Sequence, residues 1–388
     1  MKVIPIRALI TVLVAAISIS QLPIAQGAQV DSAQCRLKKL SNWPLAPGFP
    51  RDSSLIPSTG KIRHLFIYVD FPDNKSTQAT KSFADQYFVE AKKFIETQSY
   101  GRLIIESDVT PKVFRINKNS AIYGMSQDGQ GKGEQLIQDA ISAADSSVDF
   151  SKYDFVTVIP PKNTTTIKFG GTHMGGPNLY ISKEKSFSSG ITIGANKLSN
   201  FSERGSGWSM FSHETGHVLG LTHPFYQRDG GPGAIWDLMG NGGTSVPEFI
   251  GWHRFELGWL NELEILCLSK VSLKTETVML APINSNASGK KFAMVAIDSK
   301  RALGIEVRKA SKYDKLTSSE EGTLVYLIDV SKGDDEGIVT VLGSKGTTKE
   351  NQTLGSLRLN EKITHQGLTI KVISSSKSGD KVEIRSTK

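Results

Sequence analysis

The chain has 388 residues, of which 38% are hydrophobic and 22% charged, a formal net charge of +8 and two cysteines. Its length suits two or three domains with sizeable cores. The basic excess is spread thinly, without a Lys/Arg block or interleaved aromatics, so nothing in it marks a nucleic-acid partner. Beyond the N-terminus no stretch is apolar for long enough to cross a bilayer.

Residues 1–27 read as an export signal that directs the chain out of the cell. Lys2 and Arg7 form a short basic region, Ala8 to Ile17 an apolar run, and Ala25-Gln26-Gly27-Ala28 a small-residue cleavage site. An uncleaved N-terminal anchor is the alternative. Residues 28–60 are an extended segment, Pro-, Ser- and Gly-rich from residue 36. In an oxidising compartment an even cysteine count implies one disulfide, between Cys35 and Cys267. The alternative is a Cys35 thiolate that caps a metal in a latent form.

Ile62 to Val69 reads as a buried strand. Over residues 81–98, Phe83, Tyr87, Phe88, Ala91, Phe94 and Ile95 share one helical face. Leu103-Ile104-Ile105 opens a second strand, residues 132–146 a second amphipathic helix, and Phe155 to Ile159 a third strand. Asn178 to Ser182 and Gly190 to Gly194 are short β-like pieces in a Gly-rich stretch, where an edge strand can take up an extended peptide. A helix is expected over Ser206 to Leu219. Ser245 and Glu248 suggest a capping box, with Pro247 in the first turn of a helix that runs to Leu257 and stops at Gly258.

From about Glu262 the pattern changes to short alternating runs: Val278 to Ala281, Phe292 to Ile297, Leu303 to Val307, Thr323 to Val330, Ile338 to Leu342, Leu368 to Ile373 and Lys381 to Ile384. These suggest an antiparallel sandwich. The expected architecture is an α/β (α+β) domain with a twisted mixed sheet over residues 61–262, followed by an all-β sandwich-like domain over residues 263–388.

His213-Glu214-Thr215-Gly216-His217-Val218-Leu219-Gly220-Leu221-Thr222-His223 carries the chemistry. On a helix His213 and His217 lie one turn apart on one face. Gly220 permits a sharp turn with φ > 0, which returns His223 as a third nitrogen. Three protein ligands with a fourth position open mark a catalytic rather than a structural zinc site. Glu214 reaches water on that metal without being a ligand. It would take a proton from the attacking water and pass it to the leaving amine.

The motif followed by Met239 on a turn resembles the metzincin clan of metallopeptidases, in which such a methionine packs beneath the ligands. Within the clan the chain is most similar to the immune inhibitor A-type secreted bacterial metalloproteases. The similar stretches are Val69 to Asp73, Ser99 to Leu103, Asp149 to Phe155, Trp236 to Met239, Leu257 to Leu260, Gly304 to Arg308 and Gly322 to Tyr326. That family commonly has Asp at the third ligand position, where His223 stands here. The resemblance implies a secreted zinc endopeptidase with one catalytic zinc, protein or peptide substrates and the catalytic fold of the clan. Zinc-dependent hydrolysis of a cell-wall amide and a non-catalytic exported adhesion module are the competing functions.

Tyr226 is a candidate donor to the developing oxyanion, or else a solvent-edge tyrosine. Asp237 either orients a ligand histidine or caps the Met-bearing turn. Asp334-Asp335-Glu336 reads as a solvated hairpin tip, with calcium as the alternative occupant. His64, His173, His253 and His365 read as packing or surface histidines.

Overall fold

The apolar run at Ile62 becomes the centre of a sheet. The strands of the first half are β1 (Gly60–Asp70), β2 (Leu103–Val109), β3 (Phe114–Arg115), β4 (Phe155–Ile159), β5 (Gly171–Met174), β6 (Tyr180–Ile181), β7 (Ser186–Phe187) and β8 (Ser189–Thr192). The main sheet has the order β2-β1-β4-β8-β5, with β3 beside β1. All of its pairings are parallel except β5 on β8, which is antiparallel. The computed structural model of the chain describes residues 32–77, 80–126, 131–168, 170–195, 207–226, 233–240, 247–343 and 355–387. The expected export signal lies outside these residues, as do Ser206 and Ser245.

Alternation along β1 places the helices. Ile62, Phe66 and Tyr68 point to the face covered by α1 (Thr80–Gln98) and α3 (Gly207–Val218), whereas Leu65, Ile67 and Val69 pack with α2 (Gly133–Ala144) on the other. Helices on both faces of a largely parallel sheet account for the almost uninterrupted apolar run. Among the described residues no helix is long and apolar enough to cross a membrane.

The helix expected after Glu248 is shorter, α4 (Gly251–Glu256), with Ile250 as N-cap and no side-chain cap. Glu248 is used differently. Its buried carboxylate accepts from Arg254 Nη2 at 2.8 Å and from Ser311 Oγ at 2.6 Å. A buried guanidinium needs a charged partner, and that need takes the glutamate away from a helix terminus.

The second half is β-rich: β9 (Ile265–Ser269), β10 (Thr275–Leu280), β11 (Phe292–Ala296), β12 (Arg301–Arg308), β13 (Gly322–Asp329), β14 (Val339–Val341), β15 (Ser356–Leu357), β16 (Lys362–His365), β17 (Leu368–Ser376) and β18 (Gly379–Ser386). One sheet runs β14-β13-β12-β11-β9 with β15 on β13, and the other β10-β18-β17-β16. The pairings are antiparallel, except that β9 joins β11 in parallel.

The first of these sheets is buried on both faces. Leu303, Ile305 and Val307 of β12 point into the sandwich core with Ile370, Val382 and Ile384. The alternate positions face Trp236, Ile250, Trp252 and Phe255 from the first half. Two of those alternate positions, Glu306 and Arg308, are fully buried and paired at 3.0 Å, and Arg308 also grips Asp314. The Cys35–Cys267 disulfide crosses the same seam, which occupies the thiol that a latent metal cap would need. The two halves expected on either side of residue 262 thus share one core.

Candidate metal centre

Helix α3 ends where Gly220 takes a left-handed φ of +102°. Leu221 N–H returns to the Gly216 carbonyl at 2.9 Å and Gly220 N–H to the His217 carbonyl at 2.8 Å. That pair of bonds is a Schellman turn, which needs glycine at its left-handed position. A carbonyl left over at the helix end, that of Leu219, accepts from Arg51 Nε at 2.9 Å. The turn carries the chain back toward the helix face that bears His213 and His217.

His213, His217 and His223 come together, with one ring nitrogen of each within 4.8 Å of the others. All three are buried. Each Nδ1 has an acceptor: the Leu238 carbonyl at 2.9 Å for His213, the Leu221 carbonyl at 2.7 Å for His217 and the Asp334 carboxylate at 3.0 Å for His223. Carbonyls and carboxylates only accept, so each Nδ1 is the donor, and in a neutral ring the Nε2 lone pair is then the one that can take a cation. The Nε2 atoms of His217 and His223 face each other at 3.2 Å. Two lone pairs at that distance repel unless a cation, a proton or a metal ion, lies between them. Tetrahedral zinc ligands at about 2.1 Å from the ion lie about 3.4 Å apart. The three histidines therefore fit a metal ion.

The turn that bears Met239 packs against helix α3. Asp237 Oδ1 accepts from Met239 N–H at 2.7 Å, and its Oδ2 accepts from Ile250 N–H at 2.7 Å and from His253 Nδ1 at 3.0 Å. The carboxylate thus shapes the turn and reaches His213 through the Leu238 backbone. Burial opposes charge on His253, but Asp237 together with Glu256 and Glu306 more than offsets it and raises the pKa above the ordinary imidazole value. Met239 is fully buried, with its sulfur against Gly216 of α3.

Glu214 is 7% exposed, and the Thr172 hydroxyl lies 2.9 Å from its Oε2 and 2.8 Å from its carbonyl. Thr172 belongs to β5, the end strand of the sheet. Its neighbour His173 points to the other face, where Nε2 meets Thr192 Oγ1 at 3.1 Å and the ring lies over Gly133. Burial lowers its pKa. His64 is enclosed between Ser107 and Thr157 hydroxyls, and His365 lies on β16. Tyr226 is 60% exposed and flanks Gly337.

Thr172 was not anticipated from the sequence, and neither was the contact between Asp334 and His223. Asp334 stands 111 residues beyond His223, and no spacing rule links the two. The acidic run does lie at the tip of the β13–β14 hairpin, but this tip is half-buried rather than solvated: Asp334 holds His223, Asp335 N–H donates to the His223 carbonyl at 3.3 Å, and Glu336 closes the turn through Gly333 N–H. A threonine in a Gly-rich stretch likewise gave no signal. No family model and no curated protein matches the chain.

Proposed function

We propose that this protein is a secreted zinc endopeptidase of metzincin type, similar to the immune inhibitor A-type proteases. The observation that carries the reading is the convergence of three histidines, one ring nitrogen of each, whose Nδ1 atoms are each held by an acceptor, beside Glu214 on the same helix. Three ligands leave room for water, the pattern of a catalytic site. When bound, zinc supplies a Lewis acid for a carbonyl oxygen and makes water acidic enough to lose a proton near neutral pH.

His213, His217 and His223 would hold the ion. Glu214 receives the proton from the attacking water on one carboxylate oxygen and returns it to the leaving amine. Thr172 fixes the other oxygen, so the carboxylate keeps one aim through both transfers. Strand β5 pairs with β8 on one side and, among the described residues, ends the sheet on the other. Such an edge takes an extended peptide by main-chain hydrogen bonds, beside the carboxylate that Thr172 holds. This favours peptide bonds over the amides of cell-wall material. Secretion is supported by the N-terminal 27 residues and fits the disulfide.

The test is purified protein assayed for zinc content and for cleavage of casein, beside Glu214→Gln. The variant should keep its zinc and lose cleavage by about a hundredfold or more. Intact casein with zinc-replete, calcium-supplemented wild type would end the endopeptidase reading. Equal cleavage by the variant would end the role of Glu214.

A further inference from the structure

His223 is the ligand that helix α3 does not hold. His213 and His217 are set by helical spacing, but His223 lies three residues past Gly220 in a segment without regular structure. Its supports come from the second half of the chain. Asp334 Oδ1 accepts from His223 main-chain N–H at 2.7 Å and from His223 Nδ1 at 3.0 Å. Asp335 N–H donates back to the His223 carbonyl, and Val339 N–H donates to the Pro224 carbonyl at 2.7 Å. The connection between β13 and β14 therefore pairs with residues 223 and 224 almost as a short ladder. At its two ends Ile328 and Val339 sit in the core shared by the halves.

We propose that Asp334 is a positioning residue for the metal, and that the β13–β14 connection closes the centre, so that metal occupancy and the seating of this connection are one coupled equilibrium. The proposal rests on the three histidines as metal ligands and is independent of what the enzyme cuts. A carboxylate on Nδ1 fixes the tautomer and ring plane of a ligating histidine. The same carboxylate on the main-chain N–H also fixes the backbone that carries the ring. Without it His223 is free to swing from its place opposite His217, and the metal keeps two well-placed ligands instead of three. Coupling is reciprocal: whatever the seated connection adds to metal affinity, bound metal adds to the seating. The β-rich half is then part of the metal centre, not an appendage to it.

The experiment is chelator competition for zinc on the full chain, with wild type, Asp334→Asn and Asp334→Ala, beside thermal unfolding of the zinc-free proteins. The alanine variant should bind zinc about tenfold to a hundredfold more weakly, with asparagine, which keeps an acceptor but not the charge, in between. Zinc affinity of the alanine variant within threefold of wild type, with only its zinc-free stability lowered, would show a merely structural aspartate and overturn the proposal. Should the variants fail to fold, hydrogen exchange of the wild type decides. Stripping zinc should speed exchange of the backbone amides over residues 331–339, and unchanged exchange there after complete zinc loss overturns the coupling. Coupled zinc binding in a protein that leaves casein intact would sink the endopeptidase reading alone. A wild type that binds no zinc would sink both.

Discussion

The sulfur of Met239 rests against the backbone of Gly216, where a Cβ on residue 216 would have to go. Gly216 directly precedes the ligand His217 on α3, so this contact sets how closely the ligand helix lies on the turn below it. Gly216→Ala should gain about 1 kcal/mol of helix propensity yet lose more through overpacking, for a net cost of about 1–2 kcal/mol. Adding Met239→Ala opens the space and should return part of that loss. Urea unfolding of both single variants and the double variant measures the coupling. Additive effects would mean that the helix and turn do not press on each other.

Thr172 offers a second check, on the carboxylate. Thr172→Val keeps the shape and removes the only donor on that side chain, and a lost hydrogen bond to a charged acceptor is worth about 1–3 kcal/mol. The expected result is a fall in kcat/KM of about tenfold or more with zinc content unchanged, and recovery with Thr172→Ser. Full activity in the valine variant would remove Thr172 from the aiming of Glu214.

These two contacts mark the limit of what the sequence carries. The ligand spacing, the glycine turn and the apolar runs of β1, α1, α2 and β4 could be read directly, because each follows from local periodicity or from a backbone conformation that one residue type prefers. Asp334 could not, since its position depends on how β13 and β14 fold back over 111 residues. Glu306 and Arg308 were not legible for another reason. Their alternation with Ile305 and Val307 looks like an outward polar face, but that face packs on Trp236 and Trp252, so the charges are buried against each other.

Glu256 gives a prediction about pH. It is half-buried beside His253 and accepts from Gly48 N–H at 2.7 Å. Burial outweighs His253 and raises its carboxyl from 4.5 to about 7. The folded state therefore holds its proton over a range where the unfolded chain releases it. The stability this contributes is present below pH 4.5 and is lost as pH rises to about 7, with up to roughly 3 kcal/mol at stake. Glu256→Gln keeps the acceptor and cannot ionise. Its stability should decline less than that of wild type between pH 5 and 8 in urea titrations; parallel curves would show that Glu256 ionises normally.

His64 should act with the opposite sign. Its ring is fully buried among Phe66, Phe155 and Phe211, with both nitrogens bonded to hydroxyls. Burial pushes its pKa down from 6.5 to about 3. As pH falls through 6.5 the unfolded chain takes up a proton that the folded chain refuses. The stability is thus complete above pH 6.5 and drains away toward pH 3, by roughly 3 kcal/mol at pH 4.5. The direct measurement is the imidazole resonance of His64 in the metal-free protein, which should hold its neutral chemical shift from pH 7 to pH 4.5 while the protein stays folded. A titration midpoint near 6.5 would mean that water reaches the ring, and that the sheet between β1, β2 and β4 is more open than its hydroxyl pair implies.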